Sequence, residues 1–277
     1  MLDLIAANRR LDAMRDILDE ARSFLSLPQP EAAQPLAPVP TGSPEAARRL
    51  FAMSKPILHT VAETYLRTRR IMALRDRTAL RFHPRCYYRP NDDDPEGTRT
   101  AWPAIVAAVT DLDGTITGAH RTWLDPLGRA KAPVATPRRA MGHLLGNGVR
   151  LGVATDTLAA GEGIETMLSL RQIMPTLPTV AALSSAHLAA LALPASLRRL
   201  YIARDSDPAG KHAAETLTRR AQAVGIEALT LTPSLGDFND DLRQLGIDAL
   251  AAAIRVQLAP EDVAPFWVPQ GCVRHIR

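Results

Sequence analysis

The feature that most constrains the fold is an alternation of short apolar strands with helices that begins at Leu151. The pattern predicts strands at LGVAT, TLAAG, TVAAL, RRLYIAR and EALTLT, and helices over Ile164–Ile173, Ala186–Leu191 and Ala209–Ala223. Such alternation favours a parallel sheet flanked by helices. We therefore expect an α/β fold over residues 151–258.

Acidic residues follow two of these predicted strands. Glu162 comes directly after TLAAG, and Asp205 and Asp207 come directly after RRLYIAR. Because parallel strands end at the same crevice, we expect the three carboxylates to lie within a few ångströms of one another. Carboxylates at that spacing resist ionisation unless a hard cation is bound, and oxygen ligands suit Mg²⁺ or Mn²⁺. The plain alternative is that Glu162 and Glu165 only favour the positive end of the following helix.

Residues 46–150 are more basic, and we expect them to form an α+β module. Arginines concentrate between Arg67 and Arg89. Guanidinium groups suit phosphate oxygens, so this concentration predicts a nucleic-acid surface, with a solvated arginine-rich face as the alternative. In AAVTDLDGTIT, Asp113 and Gly114 predict the turn of a β-hairpin.

The two ends of the chain contain little that would build a core. Helical spacing of apolar residues predicts a helical leader over residues 1–26, six prolines predict an extended linker over residues 27–45, and residues 259–277 indicate a tail. Cys86 and Cys272 have no C-x-x-C partner, which disfavours a disulfide framework or a cysteine zinc site. No apolar run approaches the roughly 20 residues that span a bilayer. We therefore expect a cytoplasmic protein with no membrane partner.

AAVTDLDGTIT also resembles the opening motif of haloacid-dehalogenase-type phosphatases. That resemblance implies Asp111 as nucleophile and Asp113 as general acid, with Thr155, Lys211 and the GDFNDD segment as the later motifs. The competing interpretation is that Asp-Leu-Asp-Gly serves only as a tight turn, because Asp and Gly are the residues that such turns favour.

A different resemblance is carried by GEGIET followed by RDSDPAG. Together these motifs resemble the Toprim domain of primases and topoisomerases, with its single glutamate and its D-x-D pair. The resemblance implies a Toprim-type parallel sheet, and catalytic and metal-binding roles for Glu162, Asp205 and Asp207. GDFNDD resembles the acidic segment that follows in primase-type members, which makes Asp237 and Asp240 further metal candidates.

Primase-type Toprim proteins carry a basic module ahead of the Toprim fold. DGTITGAHRTWLDPLGRAKAPVATP resembles that module, which implies that Arg121 and Lys131 have catalytic roles beside the phosphates, in the same crevice as the acidic cluster. RFHP, the PRR at 137–139 and GEGIET further resemble Toprim proteins of plasmids and integrative elements. The same interpretation assigns nucleic-acid contacts to four other residues, Arg81, Arg138, Arg139 and Lys211.

These resemblances imply a primase-like nucleotidyltransferase that acts on single-stranded DNA and nucleotides in the replication of a mobile element, with a replicative helicase as a further partner. A Toprim nuclease and a non-catalytic DNA-binding adaptor are the alternatives. A topoisomerase is disfavoured, because none of the four tyrosines lies in a recognisable strand-cleavage domain. Such primases normally begin with a zinc ribbon, which we do not expect here, and Thr166 stands where a carboxylate would bind a second metal more strongly.

Overall fold

This computed structural model describes residues 42–74 and 78–267, and two five-stranded sheets organise them. The predicted helical leader, the linker up to residue 41 and the end of the tail from residue 268 lie outside the described residues. The α/β fold class expected from the sequence is confirmed, because the second of the two sheets is mainly parallel and carries helices.

The first sheet is antiparallel. Its strands are β1 (Lys55–Pro56), β2 (Leu80–Tyr87), β3 (Ala101–Thr110), β4 (Ile116–Trp123) and β5 (Arg138–Gly142), and they pair in that order. Two helices accompany them, α1 (Pro44–Met53) and α2 (Val61–Thr68). A hydroxyl group caps each helix, because Ser43 accepts a hydrogen bond from the Ala46 N–H and Thr60 accepts one from the Ala62 N–H.

The predicted hairpin is present as β3 and β4, and its turn explains the Asp-Leu-Asp-Gly sequence. Gly114 has a φ of 80°, a conformation that glycine adopts without steric cost. One carboxylate oxygen of Asp111 accepts hydrogen bonds from the Asp113 and Thr115 N–H groups. The two aspartates therefore belong to a turn between antiparallel strands. The phosphatase alternative is wrong on this point, because it requires them at the carboxyl end of a parallel strand.

The second sheet has four parallel strands and one antiparallel edge strand. Its members are β6 (Val149–Leu151), β7 (Thr157–Gly161), β8 (Thr179–Ala181), β9 (Arg199–Ala203) and β10 (Glu227–Leu231), in the order β10-β9-β7-β8-β6. Strand β6 runs antiparallel to β8. The prediction of a strand over LGVAT is wrong beyond Leu151, because β6 ends there and residues 152–156 form an irregular connection with bends at 152, 155 and 156.

Helices pack on both faces of the second sheet. They are α3 (Ile164–Ile173), α4 (Ser185–Ala189), α5 (Pro208–Ala223), α6 (Phe238–Gln244), α7 (Ile247–Arg255) and α8 (Pro260–Phe266). Successive residues of β9 point to opposite faces of the sheet and contact different helices. Tyr201 packs in one apolar cluster with α3, α6 and α7, whereas Ile202 packs in another with α4 and α5.

The two sheets share one hydrophobic core. Ile105 and Val109 of β3 pack in the same buried cluster as Met167 and Leu168 of α3. The opposite face of the first sheet is covered by α1, where Phe51 packs against apolar residues of β3 and β4. Among the described residues, no helix is both long enough and apolar enough to cross a membrane.

Candidate active site

A cavity of about 520 Å³ lies where the carboxyl ends of β7 and β9 meet residues of β4 and β5. The second sheet and its helices contribute the acidic side chains, and the first sheet, its connections and the end of α2 contribute the cationic ones. The charged residues that line the cavity are Glu162, Glu165, Asp205, Asp237, Asp240, Arg69, Lys131, Arg138 and Arg139. This arrangement brings opposite charges from the two halves of the fold into one space.

Strand pairing accounts for the proximity of Glu162 and Asp205. Gly161, the last residue of β7, pairs in parallel with Ala203, the last residue of β9. Glu162 follows Gly161 directly, and Asp205 lies two residues beyond Ala203. Both side chains therefore leave the sheet at the same edge, as the sequence pattern predicted.

Two other predicted ligands are helix caps. Asp207 is the N-cap of α5, where its Oδ1 accepts a hydrogen bond of 2.7 Å from the Gly210 N–H, and it does not belong to the cavity lining. Asp237 is the N-cap of α6, where its Oδ1 accepts a hydrogen bond of 2.8 Å from the Asp240 N–H. Each keeps a second carboxylate oxygen outside the cap.

Burial and like charge perturb this acidic cluster. Burial, followed by the charges of Glu162, Asp237 and Asp207, raises the pKa of Asp205 to about 7. Burial and Asp207 raise the pKa of Glu162, and burial is also the main cause that raises the pKa of Asp237. Within the described part of the chain, Glu162 Oε1 and Asp205 Oδ1 are buried without a hydrogen-bond partner.

This donor set fits a hard divalent cation in its chemistry. The oxygens are unpaired, and the carboxylates repel one another, which is the situation that a cation relieves. Across residues 42–74 and 78–267, however, no three acidic, histidine or cysteine side chains are already close enough together to hold a metal ion. The carboxylates interact electrostatically without forming a completed set of ligands.

Lys131 is the lysine of this cavity. It lies in the connection between β4 and β5, and its Nζ is 3.9 Å from Glu165 Oε1. Burial is the main cause that lowers its pKa, while Glu165 acts in the opposite direction. Arg138, the first residue of β5, lines the same cavity. Arg139 borders the cavity, but it pairs with Arg121 and its guanidinium lies on the other face of the sheet, 4.6 Å from the centre of the Tyr88 ring, where it donates a hydrogen bond of 2.6 Å to the Arg89 carbonyl.

Arg121 lies elsewhere, contrary to the expectation that it shares the crevice with Lys131. It pairs with Val106 across β3 and β4, on the face of the first sheet that α1 covers. Its guanidinium lies 4.9 Å from the centre of the Trp123 ring. The alternation of side chains along β4 is the physical reason, because the neighbouring His120 points to the cavity and Arg121 must therefore point away from it.

Arg81 and Lys211 also lie outside the cavity. Arg81 stacks over the Phe51 ring at 4.5 Å and donates a hydrogen bond of 3.1 Å to the Phe51 carbonyl. Lys211 lines a separate groove of about 800 Å³ together with Arg204 and Arg219. Of the cationic residues predicted to hold nucleic acid, the cavity therefore contains the charged groups of Lys131 and Arg138, whereas the Arg139 guanidinium lies against Tyr88.

Several cavity residues were not predicted from the sequence. His120 is buried, and burial is the main cause that lowers its pKa to about 4, so its imidazole is neutral at pH 7. His187 accepts or donates a hydrogen bond of 2.8 Å with the Ser184 hydroxyl. The alternation of side chains along β4 could have indicated that His120 faces the cavity. No comparable sequence pattern indicates a position in the cavity for His187.

Two sequence profiles match separate parts of the chain. A domain of unknown function, DUF7146, matches residues 41–151, and the Toprim domain matches residues 157–248. No curated protein matches the chain.

Solved primase structures share the fold. The Aquifex aeolicus primase, comprising zinc-binding and RNA polymerase domains, aligns with a TM-score of 0.52 at 13% identity, over 93% of this chain and 70% of that one. A DNA primase domain from Pseudomonas aeruginosa aligns with a TM-score of 0.52 at 18% identity, over 77% of this chain and 78% of that one. Residues 157–248 thus match the Toprim domain, and the chain shares its fold with solved primase structures.

Proposed function

We propose that this protein is a metal-dependent, primase-like nucleotidyltransferase that extends a primer on single-stranded DNA. The observation that carries the proposal is the cavity in which unpaired carboxylate oxygens of Glu162 and Asp205 meet the cations Lys131 and Arg138. A growing nucleic-acid chain has to meet metal ligands and phosphate-binding side chains at the same time. The cavity provides both types of group.

Glu162 and Asp205 are the proposed principal metal ligands, and Asp207, Asp237 and Asp240 are the secondary ones. Bound Mg²⁺ or Mn²⁺ would neutralise charge on the transferring phosphoryl group. The raised pKa values of Asp205 and Glu162 support this assignment, because a site built for a cation is one where carboxylates repel each other in its absence.

The cationic residues are proposed to bind and orient phosphates. Lys131 and Arg138 enter the cavity from the first sheet, opposite in charge to the carboxylates of the second. A volume of about 520 Å³ is within the range of small-molecule sites, and it suits a nucleotide. Neutral His120 can donate or accept a hydrogen bond there without adding charge.

The biological setting is part of the proposal. The RFHP, PRR and GEGIET motifs support a role in the replication of a mobile element in the cytoplasm, with a replicative helicase as partner. A Toprim nuclease would use the same carboxylates for hydrolysis, and a DNA-binding adaptor would use only the cations. The products of one reaction separate these three functions.

The test is an incubation of the protein with single-stranded DNA, labelled nucleotides and Mg²⁺ or Mn²⁺. Polymer growth supports the proposal, loss of the DNA strand indicates a nuclease, and binding without either indicates an adaptor. Glu162→Gln keeps the shape of the side chain but removes its charge, so we expect it to lower synthesis by on the order of 100-fold. It should also weaken Mn²⁺ binding in a calorimetric titration.

Glu215→Gln is the matched control for Glu162→Gln. Glu215 is an exposed glutamate of the same domain that lines the separate groove with Lys211. The control should keep both synthesis and Mn²⁺ binding. Full synthesis by Glu162→Gln would contradict the metal role of Glu162.

A further inference from the structure

Glu165 joins the two halves of the fold across the cavity. Its Oε1 accepts a hydrogen bond of 2.9 Å from the Tyr65 hydroxyl of α2, and the same atom lies 3.9 Å from Lys131 Nζ. The Glu165 side chain is 16% exposed and that of Lys131 is 23% exposed. The ion pair is therefore largely shielded from water, where such a contact acts more strongly than at the surface.

Cations surround the Glu165 carboxylate and keep it ionised. Burial acts to raise its pKa, but Lys131, its own backbone, Arg138 and the Tyr65 hydroxyl lower the pKa below its ordinary value. Glu165 differs from the proposed metal ligands, because the buried carboxylate oxygens without a hydrogen-bond partner in the described residues are those of Glu162 and Asp205. Glu165 has partners of its own.

The side of Glu165 away from the cavity is held firmly. Tyr65 is 1% exposed, and Arg69 Nε donates a hydrogen bond of 3.3 Å to its hydroxyl. Asn239 of α6 donates to the Arg69 carbonyl and to the Ser169 hydroxyl, at 3.0 Å each. The Ser169 hydroxyl in turn donates to the Glu165 carbonyl at 2.8 Å. Three helices therefore fix the position of Glu165.

Lys131 is held less firmly. It lies on a connecting segment, and Glu165 is its one ion-pair partner in the described part of the chain. The positive charges of Arg138 and Arg69 repel it. A lysine side chain also has four rotatable methylene groups, so its ammonium group moves widely unless an anion holds it.

We propose that Glu165 is a positioning residue that holds the Lys131 ammonium group at the acidic cluster, ready to bind phosphate. The phosphate-binding purpose rests on the proposed function, whereas the restraint on Lys131 does not. The same contact also acts against phosphate binding, because the negative charge of Glu165 repels phosphate and competes with it for Lys131. The two effects have opposite signs in a binding measurement.

A double-mutant cycle measures the sign. We expect Glu165→Gln to weaken binding of single-stranded DNA about fivefold, which is within the range of coupling between contacting residues. In a Lys131→Met background the same change should have no further effect, because Glu165 acts through Lys131. Glu215→Gln serves as the control. Tighter binding by Glu165→Gln, or an equal loss in both backgrounds, would overturn the proposal.

The restraint on Lys131 has a test that needs no nucleic acid. The chain contains only three lysines, Lys55, Lys131 and Lys211, so reductive methylation of each can be followed by peptide mass spectrometry. Glu165→Gln should raise the labelling rate of Lys131 several-fold and leave the other two unchanged. The glutamine can still accept the Tyr65 hydrogen bond, so the fold should persist, and a melting curve checks this.

The two experiments separate the two possible failures. An unchanged labelling rate of Lys131 would overturn the positioning role. Faster labelling together with no DNA binding by any form of the protein, the unsubstituted chain included, would support the restraint and contradict the proposed function.

Discussion

Asp205 lies at the point where burial and three neighbouring carboxylates act together on one carboxyl group. Its pKa of about 7 means that the metal-free cluster holds a proton near neutral pH. Repulsion among the carboxylates is therefore relieved either by this proton or by a bound cation. Two predictions at the scale of single residues follow from that coupling.

A cation that binds Asp205 displaces the proton, so its affinity should fall as the pH falls through 7. We expect the affinity for Mn²⁺ to drop about tenfold between pH 8 and pH 6, as one competing proton requires. Calorimetric titration in a buffer that does not bind metal measures this. An affinity that does not change with pH would show that Asp205 is not a ligand.

Asp205→Asn should stabilise the metal-free protein. The folded-state pKa of about 7 lies above the ordinary 3.8, so the stabilisation from protonated Asp205 is complete at low pH and is lost as the pH rises through 7. The amide remains uncharged, and we expect a gain of about 1–2 kcal/mol at pH 8 after allowing for solvent screening. The gain should shrink towards pH 4.5. Urea denaturation at both pH values measures it.

Asp113→Asn is the control for that experiment. Asp113 is an exposed aspartate in the β3–β4 turn, and asparagine is equally suited to such a turn. Its free energy of unfolding should change little at either pH. A stability of Asp205→Asn that equals that of the original chain at pH 8 would contradict the strong repulsion within the cluster.

The acidic residues of the site were predictable because their position depends on local sequence. Glu162 and Asp205 each follow a strand, and parallel pairing of the strands is sufficient to bring them together. Glu165 and His120 were not predictable in their roles. Their environment depends on Tyr65, which lies 100 residues away along the chain from Glu165, and on the register between β4 and β5.

At the scale of elements, an ion-pair cluster fastens α8 to the second sheet. Arg199, the first residue of β9, donates to Asp262 at 2.9 Å and forms further ion pairs with Glu227 and Glu261. The Tyr201 hydroxyl also donates to Asp262, at 2.6 Å. Asp262 is buried, so two donors lose their acceptor if it is removed.

We expect Asp262→Ala to lower the free energy of unfolding by about 3 kcal/mol, because Arg199 Nη1 and the buried Tyr201 hydroxyl both lose the acceptor that they share. Glu261→Ala is the matched control. Glu261 contacts the same arginine but its side chain is 62% exposed, so we expect a loss below about 1 kcal/mol. Urea denaturation compares the two variants. Equal losses of unfolding free energy in the two variants would show that the burial of Asp262 does not explain its contribution to stability.

Element types were predicted well where the periodicity was regular, and less well at the ends of elements. The helix over Ile164–Ile173 has the predicted bounds. The strand predicted over LGVAT is shorter, because Gly152 has a φ of 106° and the chain bends there. Neither the antiparallel direction of β6 nor its place beside β8 was visible in local sequence, since both depend on where the chain leaves the first sheet.

At the scale of the whole molecule, the two sheets share one hydrophobic core, and residues of both line the same cavity. The first sheet contributes cations to it on one face only, which is why Lys131 and Arg121 have different environments. A resemblance implied phosphate binding for both residues, but alternation along β4 turns Arg121 away from the cavity, whereas Lys131 reaches the cavity from the β4–β5 connection. Their separation leads to a prediction about nucleic-acid binding.

Lys131→Ala should reduce the salt dependence of binding to single-stranded DNA by about 0.7 in log–log slope, the value for one lost phosphate contact. Arg121→Ala should leave the slope unchanged and lower the melting temperature, because Arg121 packs on Trp123. Affinity at several salt concentrations and a melting curve check both. A reduced slope of the salt dependence for Arg121→Ala would show that Arg121 does contact nucleic acid.

Strand β6 has a consequence for how such proteins diversify. It lies within the segment that matches DUF7146, yet it forms the edge of the sheet that belongs to the Toprim domain. A recombination event that cut between the two matches and replaced one partner would strip this border from the sheet. The backbone N–H and C=O groups of β8 would then be unpaired, and an exposed sheet edge of this kind can pair with strands of other protein molecules. The second sheet therefore depends for its complete edge on a strand that the first match contributes.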